Sequence, residues 1–277
     1  IMNERVATII LNRNMPKIAD KLFNHIKKNN KKIKNDIFIV EAGSERKNLS
    51  KNYKMWANWD GAMNKGLRAP RGFNYGLSNL INNNKYNNYD YFFMLTNDTE
   101  FSDEPYLEIL INELKLHPKV GLISPCAKNW AEKNLLKKKK TKYFWYLQNS
   151  CYLFRREFLD TIVNFNKPNY MNCFYDGNNF RGNGADLEII SKGYLNNWAT
   201  ALTSKTMCYE NEKYLKELHK KIKTDDYEKN LELYLKEGAD WSKKKYGFNS
   251  RWQFIFYVKN LYNNFFNFYP KLRDFEV

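Results

Sequence analysis

Short apolar runs alternate with helical patterns over the first half of the chain. The runs are rich in β-branched or aromatic residues and are bounded by polar ones, which predicts buried strands. They are VATIIL (6–11), DIFIV (36–40), YFFML (91–95) and VGLIS (120–124). Between them, apolar residues recur at helical spacing after Pro16, over 73–82 and over about 104–116. This alternation predicts an α/β fold built on a mainly parallel central sheet flanked by helices.

The second half of the chain follows a different pattern. An aromatic stretch predicts a strand over 143–154. A loop rich in Asn and Gly then leads into a helix over about 184–195 and a last strand over 198–202. From residue 211 onward the pattern is helical and strongly charged, and we expect this extension to pack on the preceding domain. It ends in an amphipathic stretch (251–269), for which contact with a membrane surface is the alternative.

Polar side chains follow three of the predicted strands at the point where each strand ends. They are Asn12 with Asn14, Glu41 with Ser44, and Thr96 with Asp98. Each cluster alone fits a turn, because Asn, Asp and Ser are common turn formers. Parallel α/β sheets bind their ligands beyond the carboxyl ends of the strands. Three clusters at one predicted sheet edge therefore favour a binding site.

Composition narrows the class of protein. The chain has 277 residues, of which 43% are hydrophobic, and it carries a formal net charge of +16. This length suits one large domain with a real core, and no apolar run approaches the roughly 18 residues of a membrane-spanning helix. The charge favours anionic partners such as nucleotide phosphates, nucleic acid or an anionic membrane face. A general abundance of lysine explains it equally well, and we expect the run Lys137–Lys140 to be a solvated loop.

The cysteines and histidines argue against a zinc site. The four cysteines are Cys126, Cys151, Cys173 and Cys208. None forms a CxxC pair, and the three histidines are isolated. Cys126 and Cys151 lie among apolar residues, so we expect them to fill the core. Scattered thiols suit a reducing compartment, which predicts a cytoplasmic protein, with peripheral membrane association as a further option.

Five short stretches, in order and at suitable spacing, resemble the motifs of a known enzyme family. They are ILNRNMP (10–16), IVEAGS (39–44), RGFNYGLSNLI (71–81), LTNDTEF (95–101) and FYDGNNFRGNGADLEI (174–189). Over about residues 5–210 the chain resembles an inverting family-2 glycosyltransferase of the GT-A fold, most closely the rhamnosyltransferase-like branch.

The resemblance implies an architecture and a reaction. A Rossmann-like GT-A domain would occupy 1–210, with the nucleotide-sugar half over about 1–100 and the acceptor half over about 101–210. A helical extension would follow over 211–277. The implied enzyme is a hexosyltransferase of glycan or polysaccharide biosynthesis. It would move a hexose or deoxyhexose from a nucleotide-diphosphate sugar to a glycan, glycoprotein or glycolipid acceptor, with a divalent cation, Mn²⁺ or Mg²⁺.

The same resemblance implies a set of donor-binding residues. The set comprises Asn12, Asn14, Glu41, Ser44, Arg71, Gly72, Thr96, Asn97 and Asp98. Asp98 is the expected metal ligand, since Mn²⁺ and Mg²⁺ take oxygen ligands and need few protein carboxylates when phosphates supply the rest. Arg68 and Arg71 carry guanidinium groups that suit a diphosphate, and a solvated role is the alternative for both.

The sequence departs from the family pattern at three places. Thr96 stands where the DxD motif has its first Asp, which leaves Asp98 as the only carboxylate of that motif. Ala185 replaces the usual Glu of the last motif. The histidine that often follows the final strand is absent, and Tyr209 and Glu210 lie near its place. The second metal ligand therefore differs from the family pattern, or metal binding is weak.

An inverting transfer needs a general base that removes the proton of the acceptor hydroxyl. The resemblance makes Asp186 this base, and a positioned carboxylate typically contributes a factor of about 10²–10⁴. Capping of the helix that starts near residue 184 is the alternative role for Asp186. Glu188 and Trp130 are expected to bind the acceptor.

Two other function classes stay open from the sequence. The net charge of +16 and the many aromatic residues fit a nucleic-acid-binding protein, although no recognised binding motif appears and we expect no nucleic acid. A catalytically degenerate GT-A domain that binds glycans or serves as a scaffold is consistent with Thr96 and Ala185. The retained Asp98 and Asp186 argue against that second class.

Overall fold

A computed structural model describes residues 4–136, 139–147 and 150–277 of the chain. The strands of this part are β1 (Arg5–Asn12), β2 (Lys34–Glu41), β3 (Tyr53–Trp56), β4 (Tyr91–Thr96), β5 (Thr99–Phe101), β6 (Val120–Ala127), β7 (Thr141–Tyr143), β8 (Cys151–Arg155) and β9 (Ala199–Glu210). The α-helices are α1 (Pro16–Asn29), α2 (Asp60–Lys65), α3 (Arg68–Asn82), α4 (Tyr106–Leu116), α5 (Arg156–Ile162), α6 (Ala185–Leu195), α7 (Lys213–Leu218), α8 (Tyr227–Tyr246) and α9 (Arg251–Phe268).

The strands of the described residues form one mixed sheet. Their order is β3-β2-β1-β4-β8-β6-β9-β5, and β7 pairs with β9 outside this path. Strands β3, β2, β1 and β4 are parallel to one another, as are β6 and β9. Strand β8 is antiparallel to both of its neighbours, β4 and β6. Helices flank this sheet, and the predicted α/β class is confirmed.

The carboxyl ends of three parallel strands lie side by side. Asn12 at the end of β1 is level with Glu41 at the end of β2. Leu11 of β1 is level with Thr96 at the end of β4. The three polar clusters noted in the sequence therefore meet at one edge of the sheet, where open α/β sheets bind ligands.

Burial explains why the sequence pattern of the first half is clear. Strand β4 is covered on both faces, and its residues 91–95 are all buried, which accounts for a continuous apolar run instead of an alternating one. Helix α3 packs on the sheet through Phe73, Leu77 and Leu80. All four cysteines are buried, and Cys126 and Cys151 belong to the core as predicted.

The second half differs from the sequence prediction in its strands. The stretch 143–154 is not one strand. Its start belongs to β7, which pairs with β9, and its end belongs to β8, which lies between β4 and β6. Strand β9 runs on to Glu210, because its polar positions after residue 202 still pair with β5 and with β6. Lys139 and Lys140 are exposed, whereas Lys137 and Lys138 lie outside the described residues.

The helices after residue 211 pack on the sheet domain. Helix α9 lies against α6 and buries Phe254, Val258, Tyr262 and Phe266. The hydroxyl of Tyr262 donates to the backbone carbonyl of Tyr143 at 3.1 Å, which joins α9 to β7. None of the helices in the described ranges combines the length and the apolar character needed to cross a bilayer.

Candidate active site

Two acidic side chains meet where β5 pairs with β9. Thr99 is level with Glu210 in this antiparallel ladder, and the N–H of Asn211 donates to the backbone carbonyl of Asp98 at 2.9 Å. Burial raises the pKa of the Asp98 carboxyl, whereas a hydrogen bond from the Thr96 hydroxyl lowers it in part. Burial, and next the negative charge of Asp98, raise the pKa of Glu210 to about 8. The fold thus holds two carboxyl groups close together at a strand end.

This acidic pair fits a divalent cation that a nucleotide also binds. Both groups supply oxygen ligands, which Mn²⁺ and Mg²⁺ prefer, and each repels the negative charge of the other. No group of three or more acidic, His or Cys side chains in the described residues could hold a metal alone. Two carboxylates suffice where phosphates complete the coordination. Glu210 is therefore the candidate for the second ligand, which the altered DxD motif lacks.

A cavity of about 210 Å³ lies on one side of the acidic pair and is here called the donor cavity. Thr96, Asn97 and Asp98 line it at the end of β4, and Asn12 lines it at the end of β1. The side-chain amide of Asn97 donates to that of Asn12 at 2.7 Å. Arg68 and other residues at the start of α3 form the opposite wall, so the cavity is acidic on one side and basic on the other.

Three of the expected donor-binding residues lie behind the cavity wall. Glu41 has 0% exposed surface, and its carboxylate accepts from the Asn12 amide, the Ser44 hydroxyl and the Ser50 N–H. Ser44 in turn accepts from the N–H of Asn14, and both of these residues are fully buried. The polar atoms of Glu41 and Ser44 thus bind protein groups and hold the strand ends together, and nucleotide contact by these two residues stays a prediction.

Gly72, another residue expected to bind the donor, has a packing role in the structure. Gly72 lies inside α3, and a Cβ atom built there would lie 3.0 Å from a Leu11 methyl group. Glycine at this position lets the helix approach β1 closely. Gly72 therefore serves packing, and its backbone does not line the donor cavity.

A segment of the C-terminal extension covers the donor cavity. Asn14 donates from its side-chain amide to the carbonyl of Lys221 at 3.1 Å, and Lys223 forms a 2.5 Å ion pair with Glu45. Tyr214, Leu215, Ile222 and Thr224 line the cavity from this side. The segment 213–226 thus forms a roof over the ends of β1 and β4.

Three arginines surround the ring of Phe180 in a cavity of about 590 Å³ that adjoins the donor cavity. The guanidinium carbons of Arg68, Arg71 and Arg181 lie 5.7, 4.7 and 5.7 Å from the ring centroid. Arg181 forms ion pairs with two carboxylates of the C-terminal extension. Arg68 and Arg71 have no ion-pair partner among the described residues. The terminal nitrogens of Arg68 instead donate to the uncharged side chains of Asn230 and Thr224, so no carboxylate lies within ion-pair distance of its positive charge in the described part of the chain.

Arg68 is the member of this cluster that both cavities share. Its Nε atom is buried and has no hydrogen-bond partner in the described part of the chain. Burial, and next the positive charge of Arg181, lower the pKa of Arg68 to about 10. Arg71 donates from Nε to the carbonyl of Gly177 at 2.7 Å. A diphosphate in the donor cavity could relieve the charge repulsion between these arginines.

A second cavity, of about 180 Å³, lies on the other side of the acidic pair and is here called the acceptor cavity. Both Glu210 and Asp186 line it. Asp186 lies in the first turn of α6, and the N-cap of that helix is Gly184, which has a φ of +81°. Asp186 therefore does not cap α6 as the alternative interpretation held. Burial raises its pKa to about 7, whereas a hydrogen bond with Tyr152 and the charge of Arg251 act in the opposite direction.

Two buried polar atoms in the wall of the acceptor cavity have no hydrogen-bond partner among the described residues. The indole N–H of Trp130 lies near Glu210 and lowers its pKa, but it completes no hydrogen bond to a described residue. The side-chain oxygen of Asn183 is likewise unpartnered, and Asn183 is only 6% exposed. Such buried groups are costly unless a ligand or water satisfies them. An unpaired donor and an unpaired acceptor in one cavity suit a ligand with several hydroxyl groups.

Glu188, expected to bind the acceptor, has a different place. It is 0% exposed and forms a 2.7 Å ion pair with Lys245 and a hydrogen bond from the Tyr246 hydroxyl. Lys245 also pairs with Asp176 at 2.7 Å. Glu188 thus joins the end of α8 to α6 and is not among the residues that line the acceptor cavity, and its role in acceptor binding stays a prediction.

For several residues of the site, the sequence alone does not indicate that they belong to it. Tyr234 and Arg251 line the acceptor cavity from α8 and α9, far along the chain from any motif. Asn183 lies inside the motif stretch before Asp186, where glycines on both sides indicate an unusual backbone. That flanking pattern is the one local sign of its role.

The fold of the chain is similar to that of solved glycosyltransferases. The chain resembles the mannosyltransferase PcManGT from Pyrobaculum calidifontis, solved with GDP-Man and Mn²⁺, with a TM-score of 0.53 and 11% identity over 94% of this chain and 74% of that one. It resembles S. aureus TarS with a TM-score of 0.52 and 14% identity over 90% of this chain and 44% of that one. For GalNAc-T7, solved with UDP, GalNAc and Mn²⁺, the TM-score is 0.51 at 11% identity over 75% of this chain and 44% of that one.

These similarities concern the fold. The chain spans less than half the length of the TarS and GalNAc-T7 chains that it matches. No protein-family model and no curated protein sequence matches it. The chain therefore has the GT-A-type glycosyltransferase fold, as its sequence motifs predict.

Proposed function

We propose that this chain is an inverting glycosyltransferase that moves a hexose or deoxyhexose from a nucleotide-diphosphate sugar to a glycan or lipid-linked acceptor. The five motif stretches favour family 2 and its rhamnosyltransferase-like branch. The observation that carries the proposal is the position of the acidic pair. Asp98 faces the donor cavity, Glu210 faces the acceptor cavity, and the general-base candidate Asp186 shares the cavity of Glu210.

The residues that line the donor cavity suit a nucleotide. Asn12 and Asn97 present amide groups at the strand ends, and Arg68 and Arg71 present guanidinium groups, which suit phosphate oxygens. Similar solved structures support a nucleotide-sugar donor, since PcManGT holds GDP-Man and Mn²⁺ and TarS was solved with UDP-GlcNAc at a TM-score of 0.50. Asp98 and Glu210 would hold a divalent cation, which would neutralise the charge that develops on the leaving diphosphate.

The acceptor side supplies the base. Asp186 takes the proton of the acceptor hydroxyl, and the hydroxyl oxygen then bonds to the anomeric carbon as the bond to the diphosphate oxygen breaks. Attack from the face opposite the diphosphate inverts the configuration at that carbon. A pKa of about 7 leaves a substantial fraction of Asp186 ionised at neutral pH, which a general base requires. Trp130 and Asn183 orient the acceptor through their unpartnered N–H and oxygen.

The proposed function assigns a role to each part of the chain. Residues 1–210 form the catalytic domain, with the donor side mainly in its first half and the base in its second half. Residues 211–277 complete the site, because they supply the roof of the donor cavity and two residues of the acceptor cavity, Tyr234 and Arg251.

A panel of nucleotide sugars tests the proposal. We expect at least one donor to raise the melting temperature of the full chain in the presence of Mn²⁺, because a ligand that binds only the folded state stabilises it. The same donor should then be transferred to an acceptor with inverted configuration, as read by NMR of the product. Donor binding without transfer would favour the degenerate GT-A alternative. Salt-sensitive binding of DNA or RNA without donor binding would favour the nucleic-acid alternative.

A further inference from the structure

The start of α9 exposes two large aromatic side chains. One face of α9 is buried against the sheet domain through residues such as Phe254 and Val258. On the opposite face Trp252 is 68% exposed and Phe256, one turn later, is 59% exposed. Single exposed apolar residues are ordinary, whereas neighbouring large ones mark interaction surfaces. We call Trp252 and Phe256 the aromatic ridge.

The chain segment that contains this ridge carries charge of one sign. Residues 241–269 contain five basic side chains and no acidic one. The basic residues are Lys243, Lys244, Lys245, Arg251 and Lys259. Lys245 is held in internal ion pairs, but the other four form no ion pair with a described residue. Large aromatic groups framed by unpaired cations are typical of helices that lie on anionic lipid surfaces.

The aromatic ridge borders the acceptor cavity. Arg251, the residue before Trp252, lines this cavity and donates to the hydroxyl of Tyr146 at 2.5 Å. Tyr146 lines the same cavity. A surface bound to the ridge would therefore lie beside the place where the acceptor enters.

We propose that the first half of α9 docks on an anionic bilayer surface through Trp252 and Phe256, and that the acceptor is linked to a lipid of that bilayer. The aromatic rings enter the interfacial region, and the basic side chains contact the anionic headgroups. The docking does not depend on the proposed function. The lipid-linked acceptor rests on it, because it assumes that the cavity with Asp186 binds an acceptor.

Vesicle co-sedimentation of the full chain tests the docking. We expect binding to vesicles of phosphatidylcholine and phosphatidylglycerol, and much weaker binding to phosphatidylcholine alone. The double variant Trp252→Ser/Phe256→Ser should weaken binding to the mixed vesicles by about tenfold or more, because it removes the two inserted rings. The matched control is Leu231→Ser/Leu235→Ser, which changes two leucines of α8 that are each 44% exposed and one turn apart. This control should bind as the unchanged chain does.

Tryptophan quenching gives a second readout that does not need the double variant. Lipids that carry bromine on the upper part of the acyl chain should quench part of the tryptophan fluorescence of the bound chain. Trp252→Phe, a conservative change at an exposed position, should remove most of that quenching while binding is retained.

Several outcomes would overturn the docking. They are absence of binding to anionic vesicles, equal weakening by the ridge variant and the α8 control, and quenching unchanged by Trp252→Phe. Binding of RNA or DNA through the ridge, without vesicle binding, would also overturn it. The two proposals fail separately. A chain that binds vesicles but transfers no sugar refutes the proposed function alone, and one that transfers sugar but ignores vesicles refutes the docking alone.

Discussion

The backbone carbonyl of Asp98 accepts a 2.9 Å hydrogen bond from the N–H of Asn211, the residue after Glu210. The short β5–β9 ladder produces this relationship, and it brings together two carboxyl groups from distant parts of the chain. Burial raises the pKa of both, and the negative charge of Asp98 raises that of Glu210 further. A cation between them would remove that repulsion. The pair therefore lies between the two cavities, since Asp98 lines the donor cavity and Glu210 lines the acceptor cavity.

The first prediction concerns Glu210 as a metal ligand. Glu210→Gln should weaken binding of Mn²⁺ in the presence of a nucleoside diphosphate by about tenfold or more, because it removes one of two carboxylate ligands. The measurement is calorimetric titration of Mn²⁺. Glu232→Gln, an exposed acid of α8 whose partner is Lys229, serves as the control and should bind Mn²⁺ normally. Equal affinity in Glu210→Gln would exclude this residue as a ligand.

The second prediction concerns Asp186 as the base. Asp186→Asn should lower the transfer rate by about 10²–10⁴-fold while donor affinity stays nearly unchanged. The rate and the donor affinity are measured on the same preparation. Asp240→Asn changes an exposed acid of α8 and should leave both unchanged. Transfer by Asp186→Asn at a normal rate would refute the assignment.

The third prediction concerns the pH dependence of that base. Because Asp186 must be deprotonated to accept a proton and its pKa is raised to about 7, kcat/KM should rise with pH through about 7 and then level off. The fully active form thus exists above pH 7. A profile that is flat between pH 5 and pH 9 would show that Asp186 does not govern the rate.

The fourth prediction concerns folding stability. A carboxyl whose pKa is raised on folding makes the folded state less stable as pH rises from its unfolded value of 3.8 to about 7. Asp186→Asn removes this penalty and should raise the free energy of unfolding by about 2 kcal/mol at pH 8, with a smaller gain at pH 5. Urea unfolding at the two pH values measures the difference. A loss of stability at both values would indicate a structural role for Asp186.

The fifth prediction separates binding from packing near the start of α3. Arg71→Gln should weaken binding of a nucleoside diphosphate by about tenfold, as expected for a hydrogen bond to a charged group. Gly72→Ala should instead lower the free energy of unfolding by about 1 kcal/mol, because its Cβ crowds Leu11. Calorimetry and urea unfolding of both variants test this contrast. Arg46→Gln, at an exposed arginine, is the control for the charge change.

The stretch LTNDTEF shows how far local pattern reaches in this protein. Its apolar start predicts a buried strand, and its Asp is correctly located at the end of β4 in the wall of a cavity. The role of Glu210 depends instead on the β5–β9 ladder. Thr99, Glu100 and Phe101 form too short a strand for any periodic signal, so the sequence contains no sign that they pair with residues 208–210.

Glutamates at different positions of this chain have different roles, because their surroundings differ. Glu41 and Glu188 occupy motif positions, yet both are buried and their carboxylates bind protein groups. Glu210 occupies no complete motif, yet it lines a cavity. Motif position alone could not distinguish these cases, because the partners come from remote segments.

The sequence by itself determined the alternating strands and helices of the first half, the strand ends that meet at one sheet edge, and the resemblance to GT-A enzymes. These features follow from local periodicity and from short contiguous motifs. Only the tertiary structure decided which polar residues face a cavity, that Glu210 joins Asp98, and that α8 and α9 complete the acceptor cavity. The physical reason is that burial and charge neighbourhood depend on contacts between segments far apart in the chain, which no local pattern encodes.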